Sequence, residues 1–120
     1  MIQDDFGSKG ELLFEIDLIA VDGAVITVEA LLDTGFTDWL AMDIQDVESL
    51  GWRYIKERQM NTARGEAQFS LYGGTIIFDN QQLTIPVLAT EGVPEILIGL
   101  AWLETQRLVV DRKARLLSLG

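Results

Sequence analysis

The chain contains no histidine and no cysteine among its 120 residues. Without an imidazole there is nothing to activate a serine or a thiol in the usual way, so Ser-His and Cys-His hydrolysis are excluded. Without cysteine, disulfides, thiol nucleophiles and thiolate-held metals are excluded too. Basic residues are scarce: nine Lys and Arg stand against nineteen Asp and Glu, for a formal net charge of −10 and a pI near 4.2. That field repels nucleic acid and anionic membrane, so neither is expected as a partner. The one basic cluster, Arg112-Lys113 with Arg115, falls between two apolar runs and reads as a solvated hairpin end. No apolar run approaches the roughly 20 residues of a membrane span. The opening Met1-Ile2-Gln3-Asp4-Asp5 lacks the basic and apolar stretches of a secretory signal. A cysteine-free chain suits a reducing compartment, and a cytoplasmic location is expected.

What the chain does have is enough apolar surface for one core. Hydrophobic residues make up 48% of a length that fits one domain and not two. Residues 1–10 read as a polar arm and residues 11–120 as the folded domain. No linker, low-complexity tract or fixed-period repeat interrupts them.

The patterning is that of an all-β chain. From Glu11 to Val21, Phe14, Ile16, Leu18 and Ala20 alternate with Glu15 and Asp17, the period of a half-buried strand. Asp22-Gly23 predicts a type I′ hairpin turn, and Ala24 to Leu32 returns. Trp39 to Met42 reads as a short buried strand. Asp43 caps a brief helix with Ile44, Val47 and Leu50 on one face, ended by Gly51. Tyr54 to Met60 and Ala67 to Tyr72 form a hairpin around the polar segment 61–66. A break is expected at Gly73-Gly74, then a strand from Thr75 to Phe78 and a turn at 79–82. Leu83 to Leu88 follows, with Pro86 marking an edge or a bulge. After a loop at 91–94 come Ile96-Leu97-Ile98, a helical pattern from Leu100 to Arg107, and a closing hairpin of Leu108 to Val110 and Leu116 to Leu119. Many short strands with one or two short helices predict a closed β architecture.

One pentapeptide carries chemistry: Leu31-Leu32-Asp33-Thr34-Gly35. In isolation it also reads as a strand running into a polar turn, since Asp, Thr and Gly are ordinary turn residues. Its surroundings decide. An apolar strand precedes it, a polar hairpin around Ala63-Arg64-Gly65 follows, then Ile98-Gly99 ends a second apolar run, and a short helix and apolar strand come last. In that order these features resemble the retropepsin-like single-domain aspartic proteases over roughly residues 11–119. Asp33-Thr34-Gly35-Phe36 with the small helix after it is more similar to the bacterial members than to the retroviral ones.

The resemblance implies a closed barrel with a flap hairpin, and an aspartic endopeptidase that hydrolyses peptide bonds. One Asp-Thr-Gly loop implies half a site, completed by a homodimer in which Asp33 faces its twin and a shared proton lets the pair activate water. It implies catalytic roles for Asp33, Thr34 and Gly35, with Phe36, Thr37, Asp38, Ala63, Arg64, Gly65, Ile98 and Gly99 against a peptide or protein substrate. The interface is expected to include residues 33–35 and the Leu116 to Leu119 segment. No metal and no cofactor is implied. Phe36 departs from the small residue usual there; the ring either narrows a subsite or packs in the core. A catalytically silent dimerisation or peptide-binding module of the same fold is the alternative.

Acidic groups elsewhere have plainer readings. Asp4-Asp5 and the set Asp43, Asp46 and Glu48 match no cation-loop spacing and read as solvated carboxylates and a helix cap. Trp39 and Trp102 read as core, and Asp38 and Asp111 as partners for arginines.

Overall fold

Alternation places Phe14, Ile16 and Leu18 on the inner face of the first long strand, where all three are buried. The computed structural model describes residues 1–62 and 65–120. In chain order these form β1 (Ile2–Asp4), β2 (Leu13–Ile19), β3 (Val25–Leu32), β4 (Leu40–Asp43), α1 (Ile44–Leu50), β5 (Arg53–Thr62), β6 (Gly65–Phe78), β7 (Gln81–Thr90), β8 (Ile96–Ile98), a 3-10 helix (Leu100–Glu104), β9 (Leu108–Asp111) and β10 (Leu116–Leu119). The fold is all-β. Strands β2, β3, β8, β4, β7 and β6 follow one another in a sheet, and β2 also pairs with β6, which closes the six into a barrel. Closure removes the free edges that those six strands would otherwise present. Among the described residues strand β5 joins only β6, as an arm that leaves the barrel. A second sheet, ordered β1-β10-β9, joins the two ends of the chain.

The core runs from Phe14 and Ile16 through Leu40, Met42, Ile76 and Val87 to Trp102, Leu117 and Leu119. Trp102 is fully buried; its indole N–H donates to the Trp39 carbonyl at 2.9 Å, and the two rings meet edge to face at 5.0 Å. Helix α1 is built as its sequence predicts. Asp43 Oδ1 accepts the Gln45 N–H at 2.9 Å, Val47 and Leu50 are buried, and Gly51 ends the helix in the left-handed region at φ 76°.

Four local readings change. The Asp22-Gly23 hairpin is not type I′, because only Gly23 takes a positive φ. Gly23 N–H donates to Ala20 O and Ala20 N–H to Ala24 O, both at 2.9 Å, closing a three-residue loop with glycine in the left-handed position. The type I′ signature falls instead at Asp79-Asn80 (φ 51° and 64°), between Phe78 and its pair Gln81. Gly73-Gly74 causes no break; β6 runs straight through. A Cβ on Gly74 would lie 2.7 Å from Val87 Cγ2 and 2.8 Å from the Trp52 ring, so this glycine makes room for packing. Leu100 to Arg107 yields five residues of 3-10 helix and no α-helix, the tight form being suited to a short connector. Within the polar arm, residues 2–4 form β1, paired with β10 through Ile2↔Leu119. That pairing leaves β10 central in its sheet, with Leu117 and Leu119 buried inside the chain and Leu116 exposed. Pro86 meets its expectation: β4 pairs with β7 only from Val87 onward, so Pro86 lies just outside the two-sided stretch.

Candidate active site

The Asp33 loop is fixed by strand order before any side chain is considered. Strand β8 lies between β3 and β4, parallel to the first and antiparallel to the second. The chain leaving β3 therefore arches over the end of β8 to enter β4. Three backbone bonds hold the arch. Asp33 N–H donates to Ile98 O at 2.9 Å, Leu100 N–H to Phe36 O at 2.8 Å, and Gly99 N–H to Trp39 O at 3.4 Å. Gly99 has no room for a side chain, since a Cβ there would fall 2.3 Å from Asp38 O and 2.5 Å from Phe36 O. Its role is close approach.

Within the arch, Phe36 N–H donates to Asp33 O at 3.0 Å, and Gly35 N–H donates to Asp33 Oδ1 at 2.8 Å. The carboxylate thus has a fixed orientation. Asp33 is half-buried while Thr34 and Gly35 are exposed.

Beside Asp33 opens a cavity of about 880 Å³. Gly35, Phe36 and Thr37 line it from the loop, Ala41 and Leu97 from β4 and β8, Met60 and Phe69 from the β5–β6 arm, and 91–94 from the loop after β7. Its size suits a side chain or short peptide segment, and its lining is mostly apolar with two carboxylates, Asp33 and Glu91. The hairpin arm and the Asp-Thr-Gly loop face one cavity, although nearly thirty residues separate them.

The other expected residues fall in different places. Phe36 is half-buried and lines the cavity. Asp38 lies outside the cavity lining and takes an arginine partner, Arg58 Nη1, at 3.1 Å from its Oδ1. Ile98 is buried, and its carbonyl holds the loop. Gly65 is exposed at the start of β6. Ala63 and Arg64 lie outside the described residues. Asp111 Oδ1 caps its own turn by accepting Ala114 N–H. Among the described residues no cluster of three or more carboxylates is disposed to hold a metal ion.

Sequence reading missed Met60, Phe69 and the 91–94 loop as cavity residues. The loop arrives because β4 and β7 run parallel up to Asp43↔Thr90, and Asp43 Oδ2 then accepts Gly92 N–H at 3.0 Å. An aspartate that caps one element and ties a second leaves no local signature beyond the cap. At the arm's base, Tyr54 and Tyr72 stack edge to face at 5.6 Å, and Tyr54 Oη donates to Glu57 at 3.0 Å. Desolvation, then the Glu57 carboxylate, push the Tyr54 phenol above its ordinary range; desolvation raises Tyr72 likewise.

No family model matches the chain, and no curated protein matches it significantly. Solved structures do. A retropepsin-like aspartic protease from Rickettsia conorii superposes at a TM-score of 0.66 with 16% identity, over 99% of this chain and 91% of that one. The EIAV protease, solved with an inhibitor, gives 0.66 and 16% over 89% of this chain and all of that one. The simian foamy virus (mac) protease gives 0.54 and 22% over 80% and 99%. With its closed six-stranded barrel, projecting hairpin and Asp-Thr-Gly arch, this chain has the retropepsin-like fold.

Proposed function

We propose that the chain is an aspartic endopeptidase whose site is assembled from two identical copies. The observation that carries this is the placement of Asp33: a half-buried carboxylate, oriented by Gly35 N–H, on a rigid arch at the side of an apolar cavity covered by a hairpin arm. A lone carboxylate is a poor peptidase, because it cannot both take a proton from water and give one to the scissile carbonyl. One chain holds one such loop, so the second carboxylate comes from a second copy related by a twofold axis.

With two Asp33 groups sharing one proton, the ionised member takes a proton from water as the oxygen attacks the peptide carbon. The protonated member donates to the carbonyl oxygen. As the resulting diol collapses, the carboxyl that took the water proton gives it to the leaving nitrogen, the C–N bond breaks, and a diol hydroxyl returns a proton to the other carboxylate. Thr34 is exposed in the single chain, as a residue that hydrogen-bonds to a partner's loop must be. Gly35 lets substrate backbone come close to the carboxylates. Phe36 and Thr37 contact substrate, as do Ala63, Arg64 and Gly65; Asp38, Ile98 and Gly99 support the loop that contacts it.

The interface centres on residues 33–35. Leu117 and Leu119 are spent on the chain's own core, so of the C-terminal strand Leu116 is left to contribute. No helix among the described residues is long and apolar enough to cross a membrane. The testing experiment is cleavage of a peptide library or a denatured protein, with and without a pepstatin-type inhibitor. Inhibitable cleavage supports the peptidase. Dimerisation without turnover supports a silent module.

A further inference from the structure

We propose that Arg58 and Asp38 form a tie that holds the β5–β6 arm over the Asp33 loop, acting as positioning residues for the cavity between them. Asp38 lies on the arch after Asp33. Arg58 lies on β5, opposite Phe69 of β6 in the strand register and two residues before Met60. Alternate residues of a strand share a face, and so do directly paired ones, which puts Arg58, Met60 and Phe69 on one side of the arm. Met60 and Phe69 line the cavity. Arg58 leaves from that same side to reach Asp38 Oδ1 at 3.1 Å.

The pair is unusual for this chain. Among the described residues it is the one ion pair between two side chains. The Asp38 side chain is only 18% exposed, against 40% for Arg58. Its second oxygen, Oδ2, is buried and accepts no hydrogen bond. A covered carboxylate with one unsatisfied oxygen is unfavourable by itself, and Arg58 is the group that compensates it. The arch does not need the charge to keep its shape, since backbone bonds from Asp33, Gly99 and Leu100 already hold it. What the pair adds is a link to β5, a strand that otherwise bonds to β6 alone. An ion pair with one covered carboxylate, kept at such a place, fixes geometry more than it stabilises.

What the cavity binds rests on the peptidase reading; the tie itself does not. Hydrogen exchange on the full chain therefore tests the tie without any turnover. In Arg58→Gln, amides at 58–60 and 67–69 should exchange about three- to tenfold faster, with β2 and β3 unchanged. Arg58→Lys, which keeps the charge, should recover most of the protection. The double variant Asp38→Asn with Arg58→Gln should be no worse than either single one. For a cleaved peptide, Arg58→Gln should raise KM by a similar factor with kcat nearly unchanged. Unchanged exchange in the arm, or single effects that simply add, overturns the tie. Exchange that behaves as described in a protein that cleaves nothing supports the tie and overturns the peptidase.

Discussion

The peptide N–H of Asp33 donates to the carbonyl of Ile98 across 2.9 Å, joining the end of β3 to the end of β8. That bond makes the position of the carboxylate a property of the barrel. Its neighbour Gly99 is the point where the arch presses closest. Gly99→Ala would force a methyl group against the carbonyls of Asp38 and Phe36, neither of which is a flexible side-chain end. Overpacking of this kind costs about 1–3 kcal/mol, and a backbone neighbour puts it at the upper end. Urea denaturation should show that loss, and activity should fall further than stability because the arch itself must move.

Asp43 should separate helix capping from cavity support. Oδ1 accepts from Gln45 and Oδ2 from Gly92. Asn is a good N-cap but has only one acceptor oxygen, so Asp43→Asn keeps the cap and releases the 91–94 loop. We expect a stability loss of about 1 kcal/mol or less and a raised KM. Asp43→Ala loses both contacts, about 2 kcal/mol. Chemical denaturation and peptide kinetics on the two variants decide it.

Phe36→Ala should enlarge the cavity next to Asp33. The ring is half-buried, so the stability loss should be about 1–3 kcal/mol, below that of a fully buried Phe. The preferred substrate side chain beside the cleaved bond should become larger. Cleavage-site profiling of a peptide library measures the shift; an unchanged profile assigns Phe36 to packing alone.

The tyrosines at the base of the arm make stability depend on alkaline pH. Tyr54 and Tyr72 are raised in the folded state, Tyr54 by desolvation and then by Glu57. The folded protein therefore holds these protons more tightly than the unfolded chain. Their contribution is complete below the unfolded value near pH 10 and is lost as pH climbs through the raised folded values. Urea midpoints should fall above about pH 10. Tyr54→Phe should blunt that fall without changing the midpoint ratio among neutral pH values.

Much of this was legible in local pattern. Alternation at Phe14, Ile16 and Leu18, the Asp43 cap and Gly51 stop, and the apolar run into Asp33 each express short-range physics. The failures share a cause. Gly73-Gly74 looks like a break until Trp52, from a different segment, is found packed where a Cβ would be. Asp22-Gly23 carries the dipeptide of a two-residue turn, but loop closure between Ala20 and Ala24 selects three residues. The cavity residues Met60, Phe69 and Val93 meet only through strand order, which the sequence does not spell out locally. Asp38 as a partner for arginine was foreseeable from charge; that the arginine is Arg58, on the arm, was not.

The central claim is a carboxylate pair shared between two chains, and mixed dimers test it most directly. Asp33→Asn keeps size and shape but removes the base. Alone it should lower turnover by about 10²–10⁴ or more, with stability held or raised as repulsion between like charges is relieved. Wild-type and Asp33→Asn chains are then refolded together at fixed wild-type concentration, and peptide cleavage is measured. A cross-dimer pair predicts poisoning: at equal amounts, half of the wild-type chains pair with a mutant and activity drops accordingly. Activity that stays proportional to the wild-type chain alone, whatever the excess of mutant, contradicts the account.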